Sequence, residues 1–166
     1  MSDSVDSVLV AADEEADYAL FVRDSGPLLR RALVARYGVE VGVEATNDAL
    51  LVAWREWPAV SGMDNPVGYL FRAGQSAARP IVRWRNRIAP LDFPDEPAEH
   101  RMADHVDLFV ALSRLNANQR VAVVLVKSHG HTYAEAAEAL GVTEAAVGNH
   151  VRRGLRALRR QLGEQP

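Results

Sequence analysis

Between Asn149 and Leu162 the sequence carries five arginines, Arg152, Arg153, Arg156, Arg159 and Arg160, and no acidic residue. A guanidinium is a permanently charged, planar fork of donors that suits phosphate oxygens and base edges. A second row, Arg72, Gln75, Arg79, Arg83 and Asn86, recurs at three- to four-residue spacing upstream. Rows of this kind either hold a nucleic-acid backbone or make up a solvated helix face. Groups for covalent or metal chemistry are sparse. His129-Gly130-His131 has the look of a metal pair, but with no cysteine and no evident third ligand it reads as a loop feature. No phosphate-cradling glycine loop or nucleophile motif occurs, so no catalytic residue, metal or cofactor is expected.

The downstream arginines sit on a legible frame. Thr132 and Glu135 have capping-box spacing, which starts a helix at Tyr133. Tyr133, Ala136, Ala137 and Leu140 share one stripe, with Glu135 and Glu138 facing away. Gly141 follows where a helix ends in the left-handed conformation, and Thr143 is placed to cap the next helix. In that helix Val147, Val151, Leu155, Leu158 and Leu162 lie within roughly 80° of one another at about 100° per residue. The arginines and Asn149 take the opposite side. A short capped helix, a glycine turn and a longer amphipathic helix make a helix-turn-helix, which places its second helix in the DNA major groove.

Composition narrows the alternatives. The chain has 166 residues, enough for one ordinary domain or two small ones, and 48% of them are hydrophobic. The absence of cysteine excludes disulfides, zinc–thiolate sites and cysteine catalysis. No apolar run is long enough to span a membrane, and the acidic N-terminus lacks the form of a secretory signal, so a cytoplasmic protein without membrane insertion is expected. The formal net charge of −3 conceals a pattern. Residues 1–20 hold six acids and no base, and residues 88–107 hold six acids and one arginine. Residues 21–87 and 108–166 each carry a net of +4. Two basic blocks are thus separated by an acidic strip.

That strip, with Pro90, Pro94 and Pro97 and no helical or strand period, reads as a linker over 88–104. Strand-like alternation is missing throughout, so the expected fold is all-α: two small helical domains joined by an acidic, proline-rich linker. Residues 1–12 read as a disordered acidic N-terminus, 13–87 as the first domain and 105–166 as the second. In the first, helices are expected from Asp13 to Tyr37, broken or bent at Ser25-Gly26-Pro27, from Val41 to Trp57, and from the Asn65-Pro66 cap to Arg87. In the second, helices near His105–Leu115 and Ala117–Ser128, the latter begun by Asn116 and Gln119, precede the helix-turn-helix.

Two further surfaces stand out in the first domain. On the helix Val41–Trp57, the residues Glu44, Asn47, Asp48, Leu51 and Arg55 share one face among otherwise apolar neighbours. This is either a buried helix with one wet stripe or a docking face with Leu51 as its apolar anchor. On the next helix, Leu70, Ala73, Gly74, Ala77, Ile81 and Trp84 read as the apolar side opposite the basic row. Trp57 and Trp84 are either core residues or platforms for unpaired bases.

With these features the chain resembles a bacterial RNA polymerase sigma factor of the two-domain, extracytoplasmic-function type, over about Tyr18–Arg87 and His105–Leu162. The second domain carries the closer likeness. Ala111-Leu112-Ser113-Arg114-Leu115 with Gln119-Arg120 resembles the family's lead-in, and Tyr133-Ala134-Glu135-Ala136-Ala137 with Leu140-Gly141-Val142-Thr143 its first motif helix and turn. Val147 and Val151-Arg152-Arg153-Gly154-Leu155 resemble its recognition helix. In the first domain Ala53-Trp54-Arg55, Asn65-Pro66, Tyr69-Leu70 and Arg72 fit.

The resemblance implies a transcription-initiation factor with core RNA polymerase, double-stranded promoter DNA, a melted −10 strand and an anti-sigma factor as partners. It places −35 contacts at Thr143, Ala145, Ala146, Asn149, His150, Arg152, Arg153 and Arg156. The −10 contacts fall at Asn65, Arg72, Gln75, Ser76, Arg79, Arg83 and Trp84, and polymerase contacts at Glu44, Asn47, Asp48, Leu51 and Arg55. Departures are visible too. Gln75-Ser76 replaces the usual Arg-Asn, and Pro80, in place of an Asp, is expected to orphan the Ser76 carbonyl and kink its helix. Gly148 replaces a common Lys and Ala146 a common Thr. Other readings of the same residues are a sigma-derived helix-turn-helix regulator that does not melt promoters, or a helical module that sequesters polymerase.

Overall fold

The computed structural model describes the backbone of residues 2–88 and 103–163, and the side chains of 13–85 and 107–163. Among these residues the fold is all-α, as expected. In chain order the helices are α1 (Ser2–Tyr37), α2 (Val39–Arg55), α3 (Trp57–Ser61), α4 (Pro66–Ile88), α5 (Ala103–Ser113), α6 (Ala117–Val123), α7 (Tyr133–Leu140) and α8 (Glu144–Leu162). A single π-helical stretch, Val124–Ser128, continues α6. No helix among the described residues is long and apolar enough to cross a membrane. Most of the expected linker, residues 89–102, lies outside the described residues, as does the side chain of Asn86.

Two expectations for α1 need correction. The helix begins at Ser2, within the stretch read as disordered, and it does not break at Ser25-Gly26-Pro27. No glycine or proline interrupts residues 2–25, so nothing in that stretch breaks the helix. Pro27 is exposed, so the Arg23 carbonyl that loses its helical partner faces water, while Leu29, Ala32 and Leu33 lock the following turns into the core. The same reasoning covers Pro80. It sits inside α4 without interrupting it, and both Pro80 and Ser76 are exposed.

In the first domain α1, α2 and α4 pack around Leu29, Leu33, Val41, Ala45, Leu70 and Phe71. Trp57 belongs to this core at 6% exposure, with Tyr18 and Phe21 against its ring, so it is no base platform. In the second domain α8 packs against α5, α6 and α7. The two cores are not separate. Val121, Ala122 and Leu125 of the α6 region, with Ala136, Ala137, Val147 and Val151, form one continuous cluster with the first domain's apolar residues. Arg120 stitches the join: Nε donates to the Ala35 carbonyl (2.7 Å) and Nη2 to that of Arg36 (2.8 Å). Its Nη1 reaches the Ser113 and Leu115 carbonyls. One guanidinium thereby satisfies carbonyls at the ends of both α1 and α5, where helix-terminal acceptors lack backbone partners. Burial, then the charge of Arg36, lowers the pKa of Arg120 from the usual guanidinium value.

Candidate nucleic-acid interface

The helix-turn-helix forms from the local signals that its sequence carries. Thr132 Oγ1 accepts from the Glu135 N–H (3.1 Å), and a Glu135 carboxylate oxygen accepts from the Thr132 N–H (2.7 Å), so the capping box is complete. That backbone N–H, together with the Thr132 hydroxyl donating to the same carboxylate at 3.0 Å, holds the Glu135 carboxyl below its ordinary pKa. Gly141 ends α7 at φ 63°, a left-handed conformation that a side chain disfavours. Thr143 then starts α8 by accepting from the Ala146 N–H at 3.2 Å.

Four α8 residues, Val147, Val151, Gly154 and Leu158, are buried, which points the opposite face outward. Asn149, Arg152, Arg153, Arg156, Arg159 and Arg160 are all exposed. Arg152 is oriented by a 2.9 Å hydrogen bond from its Nη2 to the Asn149 Oδ1. Ala145 is exposed beside them, and Thr143 is exposed with its hydroxyl engaged in the cap. Ala146 and His150 are only half-exposed, because both lie on the flank between the core line and the arginine face. The fully open surface is therefore the Asn149–Arg152–Arg153–Arg156 patch.

Gly154 is a residue whose role the sequence did not disclose. A Cβ there would lie 2.7 Å from Val123 Cγ2, so the missing side chain lets α8 approach α6 closely. Gly148 is different, since a Cβ would meet only Tyr133 Cε1 at 3.9 Å. Gly148→Ala is thus expected to stabilise the chain by about 1 kcal/mol, the helix-propensity gain of Ala over Gly. Thermal unfolding monitored by circular dichroism checks this; an unchanged or lower midpoint would contradict it.

On α4 the buried line runs through Val67, Phe71, Gly74 and Ala78. Arg72, Ser76, Arg79 and Arg83 face away from it and are exposed, whereas Gln75 is half-buried on the flank. Trp84, assigned from sequence to the apolar side, is 62% exposed. At 100° per residue it lies about 100° from the true core line, which the sequence stripe had misplaced toward Ala73 and Trp84. Asn65 and Arg72 point toward the second domain. The Asn65 Nδ2 donates to the Glu138 carbonyl at 2.8 Å, and its Oδ1 accepts from the Gly68 N–H at 2.7 Å.

The third set occupies α2. Glu44, Asn47, Asp48, Leu51 and Arg55 are exposed on α2, with Leu51 at 45% and neighbouring Trp54 at 46% exposure. Ala45, Ala49 and Ala53 on the other side are buried, so α2 combines a dry face with an open one that keeps Leu51 in water. His129 and His131 lie with ring centroids 6.5 Å apart, but no cluster of metal-ligating side chains occurs among the described residues. His131 instead accepts from Arg31 Nη1 at 3.3 Å.

Comparison with known proteins agrees with this geometry. Residues 105–158 match the family described as Sigma-70, region 4. No curated protein matches the chain. Among solved structures, the sigma factor RpoE from Bartonella quintana, crystallised with the anti-sigma factor NepR, is 22% identical. The likeness covers 90% of this chain and 99% of that one, with a TM-score of 0.64. CnrH, solved with the cytosolic domain of CnrY, is also 22% identical, over 95% of this chain and 97% of its own, with a TM-score of 0.58. The resemblance drawn from the sequence is borne out: residues 105–158 match the sigma-70 region 4 family, and the chain shares its fold with these two solved structures.

Proposed function

We propose that this chain is an alternative sigma factor of the extracytoplasmic-function type, which binds core RNA polymerase and directs it to promoters. The observation that carries the reading is the open arginine patch of α8 on a rigidly capped helix-turn-helix within the region 4 match. In this scheme Thr143, Ala145, Ala146, Asn149, His150, Arg152, Arg153 and Arg156 face the −35 duplex. The α4 row Asn65, Arg72, Gln75, Ser76, Arg79 and Arg83, with Trp84 as a stacking platform, takes the melted −10 strand. The protein supplies recognition and positioning in the cytoplasm and performs no catalysis itself. An anti-sigma factor is a fitting partner, since the similar RpoE was crystallised with one.

The open α2 face is the proposed polymerase contact, through Glu44, Asn47, Asp48, Leu51 and Arg55. Replacing Glu44, Asp48 and Leu51 together by Ala is expected to lower co-purification with core polymerase at least about tenfold, as loss of an anchored interface does. Duplex affinity should stay within about twofold, because α8 is untouched. A variant that lost both equally would refute this division of labour. Run-off transcription with core enzyme tests the function as a whole, and a chain that binds core but supports no transcript would favour a sequestering module.

A further inference from the structure

Arginines stand on both sides of the outward line of α8, and one of them is held. At about 100° per residue, Ala145, Asn149 and Arg156 lie within about 30° of the line opposite the buried Val147, Val151, Gly154 and Leu158. Arg152 and Arg153 project about 50° to either side of that line. Arg153 has no side-chain partner among the described residues, whereas Arg152 Nη2 donates to Asn149 Oδ1 at 2.9 Å. This bond draws the Arg152 guanidinium from its flank toward the middle of the face. A guanidinium has donors only, so the bond also fixes the Asn149 amide, with Oδ1 toward Arg152 and Nδ2 away.

Middle and flank meet different parts of a duplex. A recognition helix presents the middle of its outward face, near its N-terminus, to base edges, and its flanks to the phosphates that wall the groove. Upstream of Asn149 the middle line of α8 carries only Ala145, and Gly148 has no side chain. Asn149 and the braced Arg152 are therefore the first polar groups that a base edge meets. Asparagine reads adenine by presenting Oδ1 and Nδ2 together to N6 and N7. Here the acceptor of that pair is already given to a cation, which leaves Nδ2 alone. Arginine reads guanine by presenting two N–H groups to O6 and N7. Arg152 spends one N–H on Asn149 and keeps the rest. The brace also removes part of the rotamer freedom that a long side chain otherwise loses on binding.

Resting on the sigma-factor reading above, we propose that Arg152 is the guanine-specifying residue of α8 and that Asn149 is its positioning residue, not an adenine reader. Arg153, unbraced on the other flank, stays on the phosphates and carries affinity without sequence preference.

A randomised duplex library tests this, selected by the full chain assembled with core polymerase. Wild type, Arg152→Ala, Asn149→Ala, Asn149→Asp and Arg153→Ala run in parallel, and affinity for the recovered duplexes is measured at several salt concentrations. Wild type is expected to demand guanine at a position that Arg152→Ala relaxes roughly 5- to 150-fold, the range for a lost bidentate contact. Asn149→Ala should relax the same position at least about fivefold with the salt slope unchanged, because the cation remains. Asn149→Asp should keep the guanine preference, since its carboxylate still accepts from Arg152, while affinity falls for all sequences alike. Arg153→Ala should reduce the salt slope by about 1 and leave every base preference as it was. An adenine preference lost in both Asn149 variants would overturn the assignment, because Asn149 would then read the base itself. So would Arg152→Ala losing affinity for every sequence alike, or a guanine preference untouched by Asn149→Ala. Each of these three results leaves the sigma-factor reading standing. A wild-type assembly that enriches no common sequence would refute that reading, and this assignment with it.

Discussion

Replacing Arg152, Arg153 and Arg156 by Ala is expected to reduce affinity for promoter duplex by roughly 10²–10³-fold at physiological salt, while core-polymerase binding is retained. The three guanidiniums are exposed on one side of α8, and no acidic residue occurs between Asn149 and Leu162. Each phosphate neutralised contributes about 0.9 to the slope of log affinity against log salt, so the triple variant should also lose about 2–3 from that slope. The helix itself should persist, because Ala is the strongest helix former and the buried Val147, Val151 and Leu158 are unchanged. Fluorescence anisotropy with a duplex selected from a random library, repeated at several salt concentrations, reads both quantities. An unchanged slope with unchanged helicity would mean that the arginines form a solvated face and nothing more.

Gly42→Ala is expected to destabilise the chain by about 3 kcal/mol, near the upper end of the usual cost of overpacking. Helix propensity alone argues the opposite sign, since Ala in a helix interior is worth about 1 kcal/mol over Gly. The contact geometry decides. A Cβ at Gly42 would lie 2.5 Å from the Cα of Val34 and 2.6 Å from its N, so it strikes the backbone of α1 and no side chain can move aside. For a chain of this size the midpoint of thermal unfolding should fall by about 6–12 °C. Gly148→Ala, where the space is open, serves as the internal comparison. Equal behaviour of the two variants would show that α1 and α2 cross less closely than Gly42 indicates.

The contrast between these glycines marks the limit of what local sequence carries. Both look alike in the chain, each a glycine inside an amphipathic helix. Only the position of α1 against α2 makes one of them indispensable. Trp57 and Trp84 divide in the same way. Each was open to a core or a platform reading, and a difference in angle around two helices buried the first and left the second in water.

The sequence by itself determined every helix but the short α3, together with the helix-turn-helix and the arginine face, because capping boxes, glycine stops and apolar stripes act within a few residues of where they stand. Thr132, Glu135, Gly141 and Thr143 do in the structure what their types and spacing require. The unbroken α1, the shared core and the role of Arg120 were decided by tertiary structure. Pro27 is harmless because it faces water, and Arg120 finds the Ala35 carbonyl across 85 residues of chain. Asn65 shows the division within one side chain. Its cap on α4 is local and legible, while its bond to Glu138 exists only because the second domain folds back onto the first.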